Sequence, residues 1–384
     1  MRLSERLEGV AESATLRLFA QAARLRARGV DVVSLLEGES DLPAPAAVVE
    51  AARRSLARGE TRYSQSSGLP ELRRAIARKL RRENAVRAAP EDILVTHGAK
   101  QAIFETLQAL CSPGDEVVIA APCWATFPHA ARLAGARPVL ALSPGLDLDV
   151  DAVGRALTRR SRVVVINTPN NPTGAVYSRA ALRALAALAD RRGLFVLSDE
   201  AYEKLVYDSG RHVSFASVSP AARRRAVTVQ TFSKSFSMTG FRVGYLAASG
   251  ELGRGLARIH SHMTGNVAVF AQRAALAALA LPESHGSRLR AVYEKRRDLA
   301  CALAAPLFPF ETPAGGFFLF ADARPRLGRR WRDDAALAEA LLSEARVAAV
   351  PGSACGRDGF LRLSFSGSEA AIREGFKRLA AFLA

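Results

Sequence analysis

From about residue 92 to about residue 250 the chain alternates short apolar runs with helical stretches, and this rhythm constrains its fold more than any other feature. "ILVTHG" reads as a buried strand and "AKQAIFETLQAL" as the helix after it; "PGDEVVIAAP" and "WATFPHAARLAG" repeat the pair. "RPVLAL", a helix from Asp149 to Thr158, "RVVVIN", the helix "SRAALRALAALADRRG" and the strand "LFVLSDE" continue it. Two further apolar strands, "AVTVQTF" and "VGYLAA", flank the stretch "TFSKSFSMTGFRVGY". Strands apolar throughout must be covered on both faces, and helical crossovers make their neighbours parallel. The reading is an α/β fold whose large domain holds a mostly parallel sheet covered by helices.

Beyond about residue 250 the pattern changes. Arg288 to Leu303 reads as one long helix, and "GGFFLFAD", "VAAVPG" and "FLRLSFS" read as short strands. Helices are expected at about Asp334 to Ala345 and Glu369 to Leu383. This is an α+β pattern and predicts a second, smaller domain. A helix at about Thr15 to Arg28 is expected to pack with it. The expected division is 40–275 for the large domain, with 1–39 and 276–384 forming the small one; a chain of 384 residues suits two cores better than one.

Composition excludes several classes. The formal net charge is +17, which raises the question of nucleic acid. The arginines are spread along the whole chain, with no basic tail and no interleaved aromatics to stack bases, so a solvated basic surface is the reading. Such a surface still draws anionic substrates and cofactors. No apolar run approaches the roughly 20 residues that span a bilayer. Glu5 and Glu8 argue against a transit peptide, and the protein is expected in the cytoplasm. Cys111, Cys123, Cys301 and Cys355 lie far apart with no metal or redox spacing, and are read as reduced, packed thiols.

Sheets of this type bind ligands at the carboxyl ends of their strands. The distinctive polar residues sit at those ends: "HGAK", "PCW", "NTPNNPTG", "SDEAY" and "TFSKS". Lys234 stands out, as one of only six lysines among 54 basic residues. A desolvated lysine amine is a nucleophile that forms Schiff bases with carbonyls, including the aldehyde of pyridoxal phosphate. Asp199 ends an apolar strand and suits a pyridine nitrogen, although alone it fits a helix N-cap equally well. Tyr202 and Asn171 suit the ring oxygen, and "NNPTG" alone would also satisfy a plain turn. Gly98 and Ala99 open a helix whose free N–H groups suit a phosphate, within reach of Thr231, Ser233 and Arg242. Trp124 offers a flat surface for the ring, or a core aromatic. Arg362 is a lone arginine in an apolar strand, and a carboxylate is its natural partner.

With these residues in place, the sequence resembles the class I aminotransferases of pyridoxal-phosphate fold type I, nearest the bacterial aspartate aminotransferase branch. The resemblance spans nearly the whole chain, from "ESATLRLFAQAARLRARGVDVVSLLEGESD" through "TRYSQSSGLPELRRAIA", "GAKQAIF", "NTPNNPTGAVY", "SDEAYEKLVYD" and "SKSFSMTGFRVGY" to "GGFFLF" and "VPGSACGRDGFLRLSFS". It implies that Lys234 is the Schiff-base lysine and proton carrier, that Asp199 pairs with the pyridine nitrogen, and that Asn171 and Tyr202 bind the ring oxygen. It further implies Gly98, Ala99, Thr231, Ser233 and Arg242 at the phosphate, Trp124 on the ring, Arg362 at the substrate α-carboxylate and Gly38 in the segment near it. Tyr63 is implied to reach the phosphate of a neighbouring subunit, hence a homodimer. The chain departs from the family at Ser40, where proline is common in "GESD", at Cys123, where tyrosine is frequent, and in "HGAK", where alanine replaces a frequent second glycine.

The implied reaction is a ping-pong transamination between an L-amino acid and a 2-oxo acid. Lys100 in "GAKQ", with Ser13 and Thr15, matches the segments that the aspartate-using branch employs, which favours aspartate or glutamate with 2-oxoglutarate. Lys100 is equally a solvated residue in the first turn of a helix. A neutral, aromatic or basic amino acid in a specialised pathway is the alternative, as is a related β-eliminating lyase. A regulator built on such a domain would carry a DNA-binding domain, for which there is no room before Thr15.

Overall fold

A computed structural model describes residues 7, 9–10, 12, 14–145 and 147–384. Helix α1 (Ala14–Ala27) leads to a two-residue strand β1 (Val33–Ser34), followed by α2 (Ala46–Ala57) and α3 (Pro70–Asn84). The alternating region then runs β2 (Ile93–Thr96), α4 (Gly98–Leu110), β3 (Glu116–Ala121), α5 (Thr126–Leu133), β4 (Arg137–Leu142) and α6 (Val150–Ala156). It continues with β5 (Ser161–Asn167), α7 (Arg179–Arg192), β6 (Phe195–Asp199), α8 (Pro220–Arg225), β7 (Ala226–Thr231), α9 (Phe232–Ser235) and β8 (Gly244–Ala247).

The seven strands β2 to β8 form one sheet in the order β2-β8-β7-β6-β5-β3-β4. The pairs among β3 to β7 are parallel, and β8 runs antiparallel to both β7 and β2. The reversal has a local cause. Only the one-turn α9 and a short 3-10 turn (Thr239–Phe241) separate β7 from β8, too little chain for a crossover. The turn between two adjacent antiparallel strands therefore carries Lys234 to the sheet's carboxyl edge. The strands inside the sheet are almost wholly buried, while edge strand β4 is largely exposed. The sheet's parallel strands end at Ala121, Leu142, Asn167, Asp199 and Thr231, and Asn167 pairs directly with Asp199.

A second core gathers the long helix α12 (Glu283–Ala304), β9 (Phe318–Asp322), β12 (Phe360–Ser364) and α14 (Glu369–Leu383) around Tyr293, Phe317, Phe318, Leu363 and Phe376. "VAAVPG" splits into two strands rather than one. β10 (Val347–Ala348) pairs with β1, and β11 (Val350–Pro351) pairs with β12, because the chain changes sheets at Ala349. Strand β1 and α1 thereby dock on the C-terminal part, with Leu18 and Ala22 packed against Ala348 and Val350.

The sequence reading assigned no helices to α2, α3, α10 (Gly250–Met263) or α11 (Val269–Leu279). Gly253 and Gly255 weaken the helical signal of α10, and α11 buries alanines rather than large residues. The expected division after residue 275 falls inside α11, whose Ala271, Ala274, Ala275 and Ala278 share one core with the sheet. We propose the changeover at Pro282, which caps α12. Among the described residues no helix is long and apolar enough to cross a membrane.

Candidate active site

Lys234 is placed by its neighbours. Thr231 ends β7 and caps α9, its hydroxyl accepting from the Ser233 N–H at 3.2 Å. The half-buried Lys234 side chain then reaches the carbonyl of Gly38, to which its Nζ donates. Burial pushes its pKa down to about 8. Arg242 and Arg362 act in the same direction, while Glu39 and Asp199 oppose. An amine in that range exchanges its proton near neutral pH.

Asp199 is buried at the end of β6. One carboxylate oxygen accepts from the Ala201 N–H at 3.1 Å. Burial raises its pKa to about 7, and neighbouring Glu200 adds to the rise. A carboxyl held this way gains most from a cationic N–H partner. Asn167, beside it on β5, donates its amide to the Asp199 carbonyl at 3.0 Å and accepts from the Asn171 N–H at 2.8 Å. That pair of bonds fixes the loop bearing Asn171 against β6.

Arg362 enters from the other core, buried on β12. Its Nη1 donates to Asn171 Oδ1 at 3.0 Å and its Nη2 to the Leu36 carbonyl at 2.8 Å. Its Nε is buried without a hydrogen-bond partner. The guanidinium lies 4.3 Å from the centre of the Phe318 ring. Tyr202 stands within hydrogen-bond reach of Asn171 and packs edge-on to Phe317 and Phe318. Buried charge with a donor to spare calls for an anionic partner.

The third part is a tight backbone cradle. Gly98 opens α4 with a φ of +74°, and a Cβ there would come within 2.6 Å of Arg242 Nη2. A Cβ on Gly244 would meet Gly98 C at 2.8 Å and Ala99 N at 3.0 Å. Arg242, itself with φ of 52°, donates to the Thr239 carbonyl at 2.8 Å. Thr231 and Ser233 are buried, with their hydroxyls 2.9 Å apart. Ser235 Oγ is buried and unpartnered. Helix N–H groups, hydroxyls and a guanidinium around one point suit a phosphate. With the Asp199 carboxyl and the Lys234 amine, they fit the three chemical ends of pyridoxal phosphate.

Trp124 lies between β3 and α5, edge-on to Phe127, with Lys100 Nζ 5.2 Å from its ring centre. Partial burial and then Arg242 lower the proton affinity of Lys100. Contacts or electrostatic coupling thus link Lys234, Asp199, Asn171, Tyr202, Arg242, Arg362, Gly38, Gly98, Ala99, Lys100 and Trp124 into one group, with Thr231 and Ser233 beside it. Tyr63 stands apart, 96% exposed after α2. Thr15 lies on α1, and Ser13 falls outside the described residues. The Leu36 carbonyl, Gly244 and Ser237 are absent from the sequence reading, and Ser40 shows there only as a departure from the family pattern. A glycine inside an apolar strand was a signal for Gly244; backbone carbonyls leave no signal.

The sequence matches the model of the family described as aminotransferase class I and II over residues 30–379. A probable aspartate/prephenate aminotransferase of Aquifex aeolicus is 41% identical, covering 98% of this chain and 97% of that protein. The aspartate/prephenate aminotransferase of Thermus thermophilus is 40% identical, over 99% and 98% respectively. The solved structure of aspartate aminotransferase from Thermus thermophilus with maleate superposes with a TM-score of 0.94 at 40% identity, covering 99% of this chain and 100% of that one. The chain therefore belongs to the class I and II aminotransferases and is a pyridoxal-phosphate-dependent transaminase of fold type I.

Proposed function

We propose that the enzyme moves the amino group of aspartate or glutamate to a 2-oxo acid, 2-oxoglutarate foremost, and works as a cytoplasmic homodimer. The observation that carries the substrate reading is Arg362. A buried guanidinium with an unpartnered Nε, electrostatically coupled to the Lys234 amine, suits the α-carboxylate of an amino acid. Lys100 at the rim of Trp124 supplies a second cation for a distal carboxylate. A Thermus thermophilus relative holds maleate, a dicarboxylate, which supports the same choice.

Pyridoxal phosphate, when bound, supplies the aldehyde that takes up the amino group and the ring that draws electrons from the reacting carbon. Gly98, Ala99, Thr231, Ser233 and Arg242 would hold its phosphate, Asp199 its ring nitrogen, Asn171 and Tyr202 its ring oxygen, and Trp124 its face. Tyr63, exposed in the single chain, is suited to the phosphate of a neighbouring subunit. Asp199 keeps a negative charge against the ring nitrogen once that nitrogen is protonated. Lys234 serves as the base that takes the α-proton and as the acid that returns it, a role typically worth about 100- to 10,000-fold. Arg362 and Asn171 orient the substrate so that its α-hydrogen faces Lys234.

The test is the absorbance of the purified enzyme with aspartate and no keto acid. Loss of the yellow colour, with gain of the amine-form spectrum, is expected. A yellow enzyme unmoved by aspartate or glutamate overturns the donor assignment. A protein that pyridoxal phosphate cannot turn yellow overturns the role of Lys234. The names of the two relatives above carry prephenate beside aspartate, which favours prephenate as a second amino acceptor. The amine-form enzyme is then expected to regain its colour on addition of prephenate.

A further inference from the structure

Ser40 lies in the segment that runs past both Lys234 and Arg362, and its hydroxyl meets three other groups. The Tyr293 O–H donates to it at 2.6 Å and the Leu42 N–H at 3.1 Å. The Ser237 hydroxyl lies 3.0 Å away in a third hydrogen bond. One donor and two acceptors are all that a serine hydroxyl has, so its capacity is filled. The partners belong to different bodies. Tyr293 is fully buried on α12 in the second core, and Ser237 follows Lys234 in the turn from β7 to β8. Asp41 reinforces the junction through two hydrogen bonds to Arg296, at 2.6 and 3.0 Å, and Arg296 also donates to the Ser366 carbonyl at 2.8 Å.

The backbone of the same segment faces the chemistry. The Gly38 carbonyl accepts from Lys234 Nζ and the Leu36 carbonyl from Arg362 Nη2. A short stretch thus touches the reacting amine and the carboxylate clamp with its carbonyls, and is fastened to both cores through the side chains of Ser40 and Asp41. We infer that Ser40 is a positioning residue for substrate binding, its hydroxyl being the junction that fixes the 36–41 backbone over Lys234 and Arg362. Asp41 and Arg296 hold the outer end of the segment. Ser40 holds the position next to it, two residues from Gly38, where a drift of the backbone moves the Gly38 carbonyl most directly; nearer Leu36 the Ser366 hydroxyl donates to the Glu37 carbonyl at 3.2 Å. The kinetic side of this inference rests on the transaminase reading of Lys234 and Arg362; the structural side does not.

The experiment compares Ser40→Ala with Ser40→Thr in the cofactor-loaded enzyme. Ser40→Ala loses the junction while removing one small polar atom. KM for the amino donor is expected to rise roughly tenfold, the size of one or two lost hydrogen bonds, with kcat within about twofold. Hydrogen exchange of the 36–42 amides is expected to speed up, while the thermal midpoint stays close to wild type. Ser40→Thr keeps a hydroxyl and is expected to restore both readouts. Tyr293→Phe, which keeps the ring in its core, should shift KM and exchange in the same direction as Ser40→Ala. Unchanged KM and unchanged exchange in Ser40→Ala overturn the inference. So does an equal loss in Ser40→Ala and Ser40→Thr, which would mark a packing defect. If the wild type turns over no amino donor at all, the transaminase reading fails, and the exchange data alone decide the role of Ser40.

Discussion

Two lysine–carboxylate sets lie beside β6 and β7, one of Lys234 with Asp199 and one of Lys79 with Glu203, and they are built in opposite ways. Lys79 on α3 donates to Glu203, to Asn84 Oδ1 at 2.9 Å and to Gln230 Oε1 at 2.5 Å. Asn84 in turn donates to the other Glu203 oxygen at 2.6 Å. Burial alone would raise the Glu203 carboxyl, yet Lys79, then Lys204 and His212, hold its pKa down at about 2. Asp199, four residues earlier, is buried, and there burial wins and lifts the carboxyl to about 7. Lys234 has a backbone carbonyl as its hydrogen-bond partner where Lys79 has a carboxylate and two amides. Burial is common to both sets, so pairing sets the difference. The paired set braces the sheet, and the underpaired set sits where the charges of an incoming molecule complete it.

The largest expected effect separates the two lysines. Lys234→Ala removes both nucleophile and base, so turnover should fall to background, while the thermal midpoint changes little, since one carbonyl contact is lost. Lys79→Met should do the reverse. It strands a buried Glu203 charge, a loss typically costing about 3–5 kcal/mol, and activity per folded molecule should survive. Urea unfolding and turnover of the two variants side by side make the check. If both lose stability equally, the contrast between a bracing pair and a working pair is wrong.

The two carboxyls give opposite pH dependences, and the signs follow from proton binding. In protein stripped of cofactor, folded Asp199 keeps its proton up to about pH 7, whereas the unfolded chain releases it near 3.8. The folded state binds more protons between those values, so stability falls as pH rises through that window, by roughly 4 kcal/mol in all. Asp199→Asn should remove this slope and make the stripped protein more stable than wild type at pH 8, while destroying transamination. Glu203 acts the other way: its contribution is present above pH 4.5 and is lost as pH falls toward about 2. Denaturant melts of stripped wild type and Asp199→Asn at pH 5 and pH 8 test the first sign. A wild type that gains stability from pH 5 to pH 8 relative to Asp199→Asn would refute it.

The same contrast explains what was legible in the sequence. The sheet was readable because its strands are apolar on both faces and its strand ends carry Asp199, Asn171 and the Lys234 turn. A side chain whose chemistry conflicts with its apolar surroundings announces itself, as Arg362 does between Leu361 and Leu363. Lys79 and Glu203 gave no such sign, because α3 is rich in charged residues and the partners are 124 positions apart. The Ser40 junction was equally silent. There the sequence shows only a departure from the family pattern, and Tyr293, 253 residues away, supplies the meaning. The helices α10 and α11 escaped because glycine and alanine blur the periodic signal that marked their neighbours.

The smallest expected effect tests how far the underpaired set extends. Lys100 lies at its rim, exposed, with Nζ 5.2 Å from the Trp124 ring centre and Arg242 as a repelling neighbour. An exposed charge contributes up to about 1 kcal/mol to holding a carboxylate, so Lys100→Met should raise KM for aspartate no more than about fivefold. A neutral amino acid such as alanine has no distal carboxylate and should be unaffected, so the ratio of kcat/KM values for aspartate over alanine is the quantity to measure. A fall in that ratio places Lys100 among the charges that substrate completes. An equal fall for both substrates would mean that the lysine acts by propping Trp124, which would make it a packing residue like those behind the sheet and confine the working set to Lys234, Asp199 and Arg362.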